Sequence, residues 1–311
     1  MSQYGAFGRA KAGQSAEEIL RAYYGGIGLD RTYRTDINIT VQGYGTVDIE
    51  TYVKRIYEMP GSWGDEGGME ALKAQAVAAR SYALAYTNNG SGSICATESC
   101  QVYKPANKGG KWEEAVNATR GWVLLTGGKP FSSWYASTSG GYQRSYSAGG
   151  HSTPGFWDTT SDWTKWAEGA WEVKAKSPWF YKGWYKSRSG KTCGRSHPWL
   201  HVDEMADVVN AAIVVAGGGD TSGVLPTDGC SGQAGWSTDK MAGEADKYGG
   251  RVTSVSGISV KHGSNGQTNQ AVFNTNRGEV VISGVNFYKA FNLRAPGMLS
   301  LKSYLFNIEK K

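Results

Sequence analysis

The chain has 311 residues, 40% of them hydrophobic, enough to bury a core as one large domain or two of ordinary size. Lysine and arginine outnumber the acids 33 to 27, and the net charge of +6 suits nucleic acid, an anionic membrane surface or an anionic cell wall without choosing among them. No apolar run approaches the roughly 18 residues that suggest a membrane span, and 44 glycines against 8 prolines point to tight turns and short strands, an α+β or mainly β chain.

In chain order, Ser15 with Glu18 three places on has the form of a capping box and opens a helix over EEILRAYY that Gly25 and Gly26 stop. From Ile37 the residues alternate, with Ile37, Ile39 and Val41 on one side of a strand whose character ends near Asp48. IETYVKRIYEM then has helical spacing, Tyr52, Ile56 and Met59 lying about one turn apart, which puts Glu58 near the helix end, before Pro60. An alanine-rich helix runs from Met69 to Tyr86 and ends at the turn residues NNGSGS. CQVYK, a short helix around KWEEAVNATRG and the strand pair WVLLTGGKPFSSWYAST, turning at Gly127 and Gly128, follow.

Composition shifts near Trp157: seven of the twelve tryptophans fall between there and Trp199, among Lys165, Lys174, Lys182, Lys186 and Arg188. VDEMADVVNAAIVVA is a helix ended by GGGD, and a glycine-rich segment surrounds Cys230. The rest reads as strands, VTSVSGISV, QAVFN, EVVIS, NFYKAFNL and YLFNI, with Asn265 and Gly266 as a hairpin turn. The expected organisation is mixed α+β, a β-rich core domain with short helices and an inserted tryptophan-rich helical lobe. Residues 1–36 form an N-terminal segment, 37–156 the first part of the core, 157–250 the lobe and 251–311 the strands that complete the core.

Cys95, Cys100, Cys193 and Cys230 lie in loops rich in Gly, Ser and Thr, an even number consistent with two disulfides in an oxidising compartment, in one of three pairings. Zinc is the weaker alternative, because Cys95 and Cys100 lack a second closely spaced pair and only the distant His197 and His201 supplement them.

Alanine lets another backbone approach closely, so the helix from Met69 to Tyr86 belongs inside its domain. Its polar residues fall on two stripes, Lys73 and Arg80 with Val77 and Leu84, and Gln75 with Ala79 and Tyr82, so at least one of them is buried. A buried arginine needs a carboxylate or a sugar oxygen, and Glu58 is the expected partner of Arg80 and a candidate acid. The plainer reading of that pattern is an ion pair bracing a helix against a loop.

The strings TYVKRIYEMPGSW, EALKAQAVAARSYAL, CQVY and YASTSGGY, in this order, resemble the stage II sporulation protein D and amidase-enhancer family of cell-wall proteins. The resemblance covers most of Tyr52 to Phe306 and is weakest over the tryptophan lobe. It implies a lytic transglycosylase that cuts peptidoglycan glycan strands, with Glu58 of the Glu-Met-Pro motif as general acid and then base. One carboxylate suffices where an ordinary glycosidase uses two, because the muramyl C6 hydroxyl attacks its own anomeric carbon and leaves a 1,6-anhydro end. Lys73, Gln75 and Arg80 would position Glu58 or hold sugar oxygens. The turn bearing Ser137, Ser139, Gly140, Gly141 and Tyr142 would offer amides and hydroxyls to the sugar, and Gln101 and Tyr103, also family-like, would bind substrate with it. Asp65, Glu66 and Glu70 read as solvated or helix-end charges.

Some relatives place zinc at the cysteines beside histidines; here Ser99 stands where such a histidine would, which favours a disulfide and no cofactor. The aromatic and basic residues of the lobe, a core filling in the ordinary reading, suit a glycan groove; single-stranded nucleic acid uses the same ingredients, and the resemblance decides for glycan. The implied partners are glycan strands and, in a non-catalytic alternative, a cell-wall amidase that the chain would stimulate or recruit. The implied location is extracellular or in the cell envelope. The opening MSQYGAFGRAKAGQSAEEILRAYYGG is a family phrase that many members carry near the other end of the catalytic domain, after a His-Gly-x-Gly element, so that element and a signal segment are expected upstream of Met1.

Overall fold

The computed structural model describes residues 1–178, 180, 186–188, 191–193 and 199–310. Lys182 and His197, with the side chains of Lys186 and Arg188, lie outside the described residues. The chain is α+β and divides into two compact units, Met1–Phe180 and Tyr181–Lys311. Among the described residues no helix is long and apolar enough to cross a membrane.

The first unit opens with a helix that the sequence reading did not anticipate, α1 (Gln3–Lys11), its N-terminus capped by the Ser2 hydroxyl. α2 (Ala16–Tyr24) carries the expected capping box: Ser15 Oγ accepts from the Glu18 N–H, and the Glu18 carboxylate accepts from the Ser15 N–H at 2.7 Å. β1 (Gly28–Asp30) precedes a hairpin of β2 (Asn38–Val41) and β3 (Gly45–Asp48), in which Ile39 and Val41 are buried as their alternation requires. Then come α3 (Ile49–Lys54), α4 (Met69–Tyr86), β4 (Ser93–Ile94) and α5 (Gly110–Ala118). β5 (Val123–Thr126) and β6 (Lys129–Pro130) turn through Gly127 at φ 55° and Gly128 at φ 73°, left-handed positions that glycine adopts without strain. β4 pairs parallel to β2, while β5 pairs antiparallel to both β1 and β6.

α4 is the centre of this unit. Its small alanines let α1, α2, α3, α5 and β5 pack against it on several sides, and twelve of its eighteen residues are buried. The first 36 residues are therefore part of this core rather than a separate segment, with Phe7, Ile19, Leu20 and Tyr24 inside it. The stretch after Trp157 begins in the same unit: the short helix Trp171–Lys174 packs on α1, and buried Asp158 pairs with Arg9 at 2.6 Å.

α3 is shorter than its periodicity suggests. The helix stops at Lys54 because the segment from Gln101 to Lys108 captures the next backbone groups, with Ile56 bridged to Tyr103 and the Tyr57 N–H donating to Val102 at 2.8 Å. Pro60 further disfavours continuation. Glu58 thus leaves the helix and is presented by a bend after it.

In the second unit the helix Val202–Ala216 packs on the helices Thr238–Asp246 and Gly284–Arg294 and on an antiparallel sheet of Val255–His262, Thr268–Thr275 and Gly278–Ser283. These strands close a core of their own, with Val208, Val209, Phe273 and Phe287, where the sequence reading had them completing the first core. NFYKAFNL is helical rather than a strand: Ser283 caps it, and Phe287, Ala290 and Arg294 recur at helical spacing on its buried face. YLFNI forms no strand, but Thr268 holds it by donating through its hydroxyl to the Phe306 carbonyl at 2.7 Å. His201 stands at the start of the helix Val202–Ala216, its N–H donating to Glu204 at 2.8 Å. The disulfides pair Cys95 with Cys100 and Cys193 with Cys230.

Candidate functional site

Glu58 is half-buried, and its Oε1 accepts a hydrogen bond from the Val102 N–H at 2.6 Å. Burial raises its carboxyl above the usual range; the Val102 bond opposes that, the Glu98 charge adds to it and the Lys108 charge opposes it. Oε2 engages no hydrogen bond among the described residues. Lys108 lies beside this acid: its Nζ donates to the Met59 carbonyl and sits 5.4 Å from the Tyr57 ring centroid and 5.5 Å from that of Trp112. Burial lowers its ammonium to about 8, with Glu58 opposing the shift and Lys104 adding to it.

Behind Glu58, the fully buried Gln101 links three elements. Its Oε1 accepts from Tyr52 Oη at 2.8 Å, and its Nε2 donates to Tyr135 Oη at 2.7 Å and to the Ala79 carbonyl at 3.2 Å. Burial, then the Glu58 charge, holds the Tyr135 phenol well above its ordinary range; burial, Tyr82 and Glu58 do the same for Tyr52. Tyr103 is buried, stacked on Tyr52 at 5.5 Å, and its hydroxyl accepts from Arg55 at 3.1 Å. Gln101 and Tyr103 are thus buried within this network rather than exposed to a sugar.

The expected partnership of Arg80 with Glu58 is not what the structure holds. Arg80, 1% exposed, pairs with Glu50, 4% exposed, through Nε at 3.0 Å and Nη2 at 2.7 Å, and its remaining donors meet the carbonyls of Trp122 and Val116. Glu50 also accepts from the Gly121 N–H at 3.2 Å, so the pair is enclosed with both carboxylate oxygens and all three guanidinium nitrogens engaged. Lys73 binds Glu70 at 2.6 Å, and Glu70 accepts from the Ala16 N–H at the start of α2 at 2.9 Å. Gln75 is fully buried; its Oε1 accepts from Gln3 at 3.4 Å and its Nε2 has no partner among the described residues. These three residues brace α4 and lie outside the hydrogen bonding of Glu58.

The serine and glycine turn is also committed internally. The fully buried Glu172 accepts from Ser2 Oγ at 2.7 Å, Ser139 N at 2.6 Å, Ser139 Oγ at 2.8 Å, Gly140 N at 3.3 Å and Thr138 Oγ. Gly140 at φ 71° and Gly141 at φ 87° permit this wrap, and a Cβ on Gly141 would meet Ala170 and the Trp166 ring at 3.2 and 3.3 Å. The Ser137 carbonyl accepts from the Tyr4 N–H at 3.1 Å, and Tyr142 pairs with Trp157 in a two-stranded ladder. The turn's amides and hydroxyls therefore serve a carboxylate of the same chain.

Trp157 and Trp163, both half-buried, stack at 5.4 Å, and Trp166, buried, packs on Phe180 at 5.2 Å, so these rings pack on one another in an aromatic cluster. Among the described residues, the exposed rings of the first unit lie elsewhere: Trp134 beside Tyr146 at 5.5 Å, Tyr86 beside Tyr82 at 5.7 Å, and Tyr44 beside Tyr103 at 5.5 Å. Sequence reasoning missed Lys108, Glu98 and the Val102 amide. Lys108 is 49 residues from the carbonyl it binds, beyond any local periodicity; its one signal was that CQVY, just upstream, matched together with the Glu58 motif.

Residues 38–125, from the first residue of β2 into β5, match the sequence profile of the family described as Stage II sporulation protein. Over 85 residues, 27% of this chain, the sequence is 39% identical to the amidase enhancer of Bacillus subtilis (strain 168), of which the match covers 11%. Over 113 residues, 34% of this chain, it is 35% identical to an uncharacterised protein of Brachyspira hyodysenteriae, of which the match covers 29%. The chain thus spans about a tenth of one relative and under a third of the other. No solved structure matches.

Proposed function

We propose that this chain, which carries a domain of the Stage II sporulation protein family over residues 38–125, is a lytic transglycosylase acting on peptidoglycan glycan strands. The observation that carries the reading is Glu58, a half-buried acid with a raised pKa, one oxygen fixed by a backbone N–H and the other without a hydrogen bond among the described residues. In this reading Glu58 gives its proton to the glycosidic oxygen as the bond from that oxygen to C1 breaks. The resulting carboxylate takes the proton of the muramyl C6 hydroxyl as that oxygen bonds to C1, which restores the acid and leaves a 1,6-anhydro end. The Val102 N–H favours the carboxylate between the two transfers, and an internal hydroxyl needs no bound water as nucleophile. Trp134, Tyr86 and Tyr44 offer exposed ring faces to the sugar chain.

The name of the Bacillus relative supports the cell-wall part of this reading, and two disulfides fit an oxidising site outside the cytoplasm. The test is mass spectrometry of peptidoglycan, intact and stripped of peptides, after incubation with the wild type and with Glu58→Gln. Anhydro-muramic ends are expected with the wild type alone; their absence from both proteins, with glycan binding kept, would sink the reading. The same relative's name supports one alternative, a non-catalytic enhancer of a cell-wall amidase. That role predicts a faster amidase in the presence of either protein.

A further inference from the structure

The segment Gln101–Lys108 follows the Glu58 segment bond by bond. Val102 accepts from the Tyr57 N–H at 2.8 Å and gives its own N–H to Glu58, the Lys104 N–H donates to Arg55 at 3.0 Å, and Tyr57 Oη donates to the Ala106 carbonyl at 3.2 Å. Lys108 ends the run with two hydrogen bonds and two ring contacts. Its N–H donates to the Lys54 carbonyl at 3.0 Å, its Nζ to the Met59 carbonyl, and its charge lies over the Tyr57 and Trp112 rings. The side chain therefore contacts Tyr57 and Met59 on the two sides of Glu58, and the backbone N–H holds the exit of α3.

We propose that Lys108 is a positioning residue for Glu58: it fixes the backbone on either side of the acid and sets a positive charge beside the carboxyl. The proposal rests on the reading of Glu58 as the acid. The titratable groups facing Glu58 are Tyr52 on α3, Tyr135 after β6, Glu98 in the loop closed by Cys95 and Cys100, and Lys108 itself; Lys104 faces Lys108 and lies 4.5 Å from the Tyr57 ring centroid. Glu98 and Lys108 act on Glu58 with opposite signs, and Glu58 in turn raises the Lys108 ammonium.

The signs are checkable. Removing the lysine charge raises the Glu58 midpoint, and removing the Glu98 charge lowers it. Only the protonated acid starts the reaction, so activity is present below that midpoint and lost as pH rises through it. Difference infrared spectroscopy, each protein against its own Glu58→Gln version, reads the carboxyl without turnover. Lys108→Met should raise the midpoint by about one pH unit, move the alkaline limb of kcat with it and lower kcat, whereas Lys108→Arg should leave the midpoint in place. Glu98→Gln should move it the other way. A folded Lys108→Met with an unmoved midpoint would overturn the proposal and leave the lysine a loop brace.

If Lys108→Met does not fold, the reciprocal measurement decides. In Glu58→Gln the Lys108 amine, followed by NMR of labelled lysine, should titrate below its wild-type midpoint, and an unchanged midpoint would count against the coupling. A wild type that cuts no strand while both midpoints shift as described would defeat the transglycosylase reading and leave the placement of Lys108 standing.

Discussion

Arg80 and Glu50 show what the interior of the first unit demands of a charged residue. With the pair sealed and the remaining donors on carbonyls, removing either partner leaves the other charge buried without compensation. Arg80→Met should therefore cost about 3 to 5 kcal/mol in urea unfolding. The activity per folded molecule should remain near wild type, since Arg80 bonds no atom of Glu58. A stable Arg80→Met with lost activity would instead return the arginine to the site. The sequence made its burial legible, because a polar residue on an alanine-packed helix has nowhere else to go. Its partner was not legible: Glu50 in the first turn of α3 and Glu58 just beyond its end both belong to the helical pattern of the sequence, and only the capture of Ile56 and Tyr57 by the segment Gln101–Lys108 separates them.

At the level of elements, the turn around Gly140 works as a cradle for Glu172. Glu172→Ala would strip the Ser139 and Gly140 amides and three hydroxyls of their acceptor, and it should destabilise the first unit by roughly 3 kcal/mol. Thermal unfolding with a wild-type midpoint would show that water replaces the carboxylate and that the cradle is open to other ligands. Local chemistry made several elements readable. The span of α4, the Ser15 capping box and the turn at Gly127 and Gly128 depend on neighbours in sequence, so they could be read directly. NFYKAFNL misled because its aromatic residues favour strands, whereas its helical face buries Phe287, Ala290 and Arg294 together. The use of the Gly140 turn depends on a carboxylate 32 residues away, which no local pattern encodes.

Over the whole molecule, two units each close their own core, and the stretch matched by the Stage II sporulation protein family lies within the first, together with Glu58, Glu98 and Lys108. The sequence's expectation of one core completed by C-terminal strands assumed that separated strand runs share a sheet. The helix Val202–Ala216 supplies the apolar surface that lets the later strands close separately. The chemistry assigned to the first unit turns on the nucleophile, and the most direct measurement is digestion of purified glycan strands in H2 18O with mass spectrometry of the new ends. An internal C6 hydroxyl yields anhydro-muramic ends without label, and these should vanish in Glu58→Gln. Reducing ends carrying 18O would mean that water attacks C1 and would contradict the transglycosylase assignment.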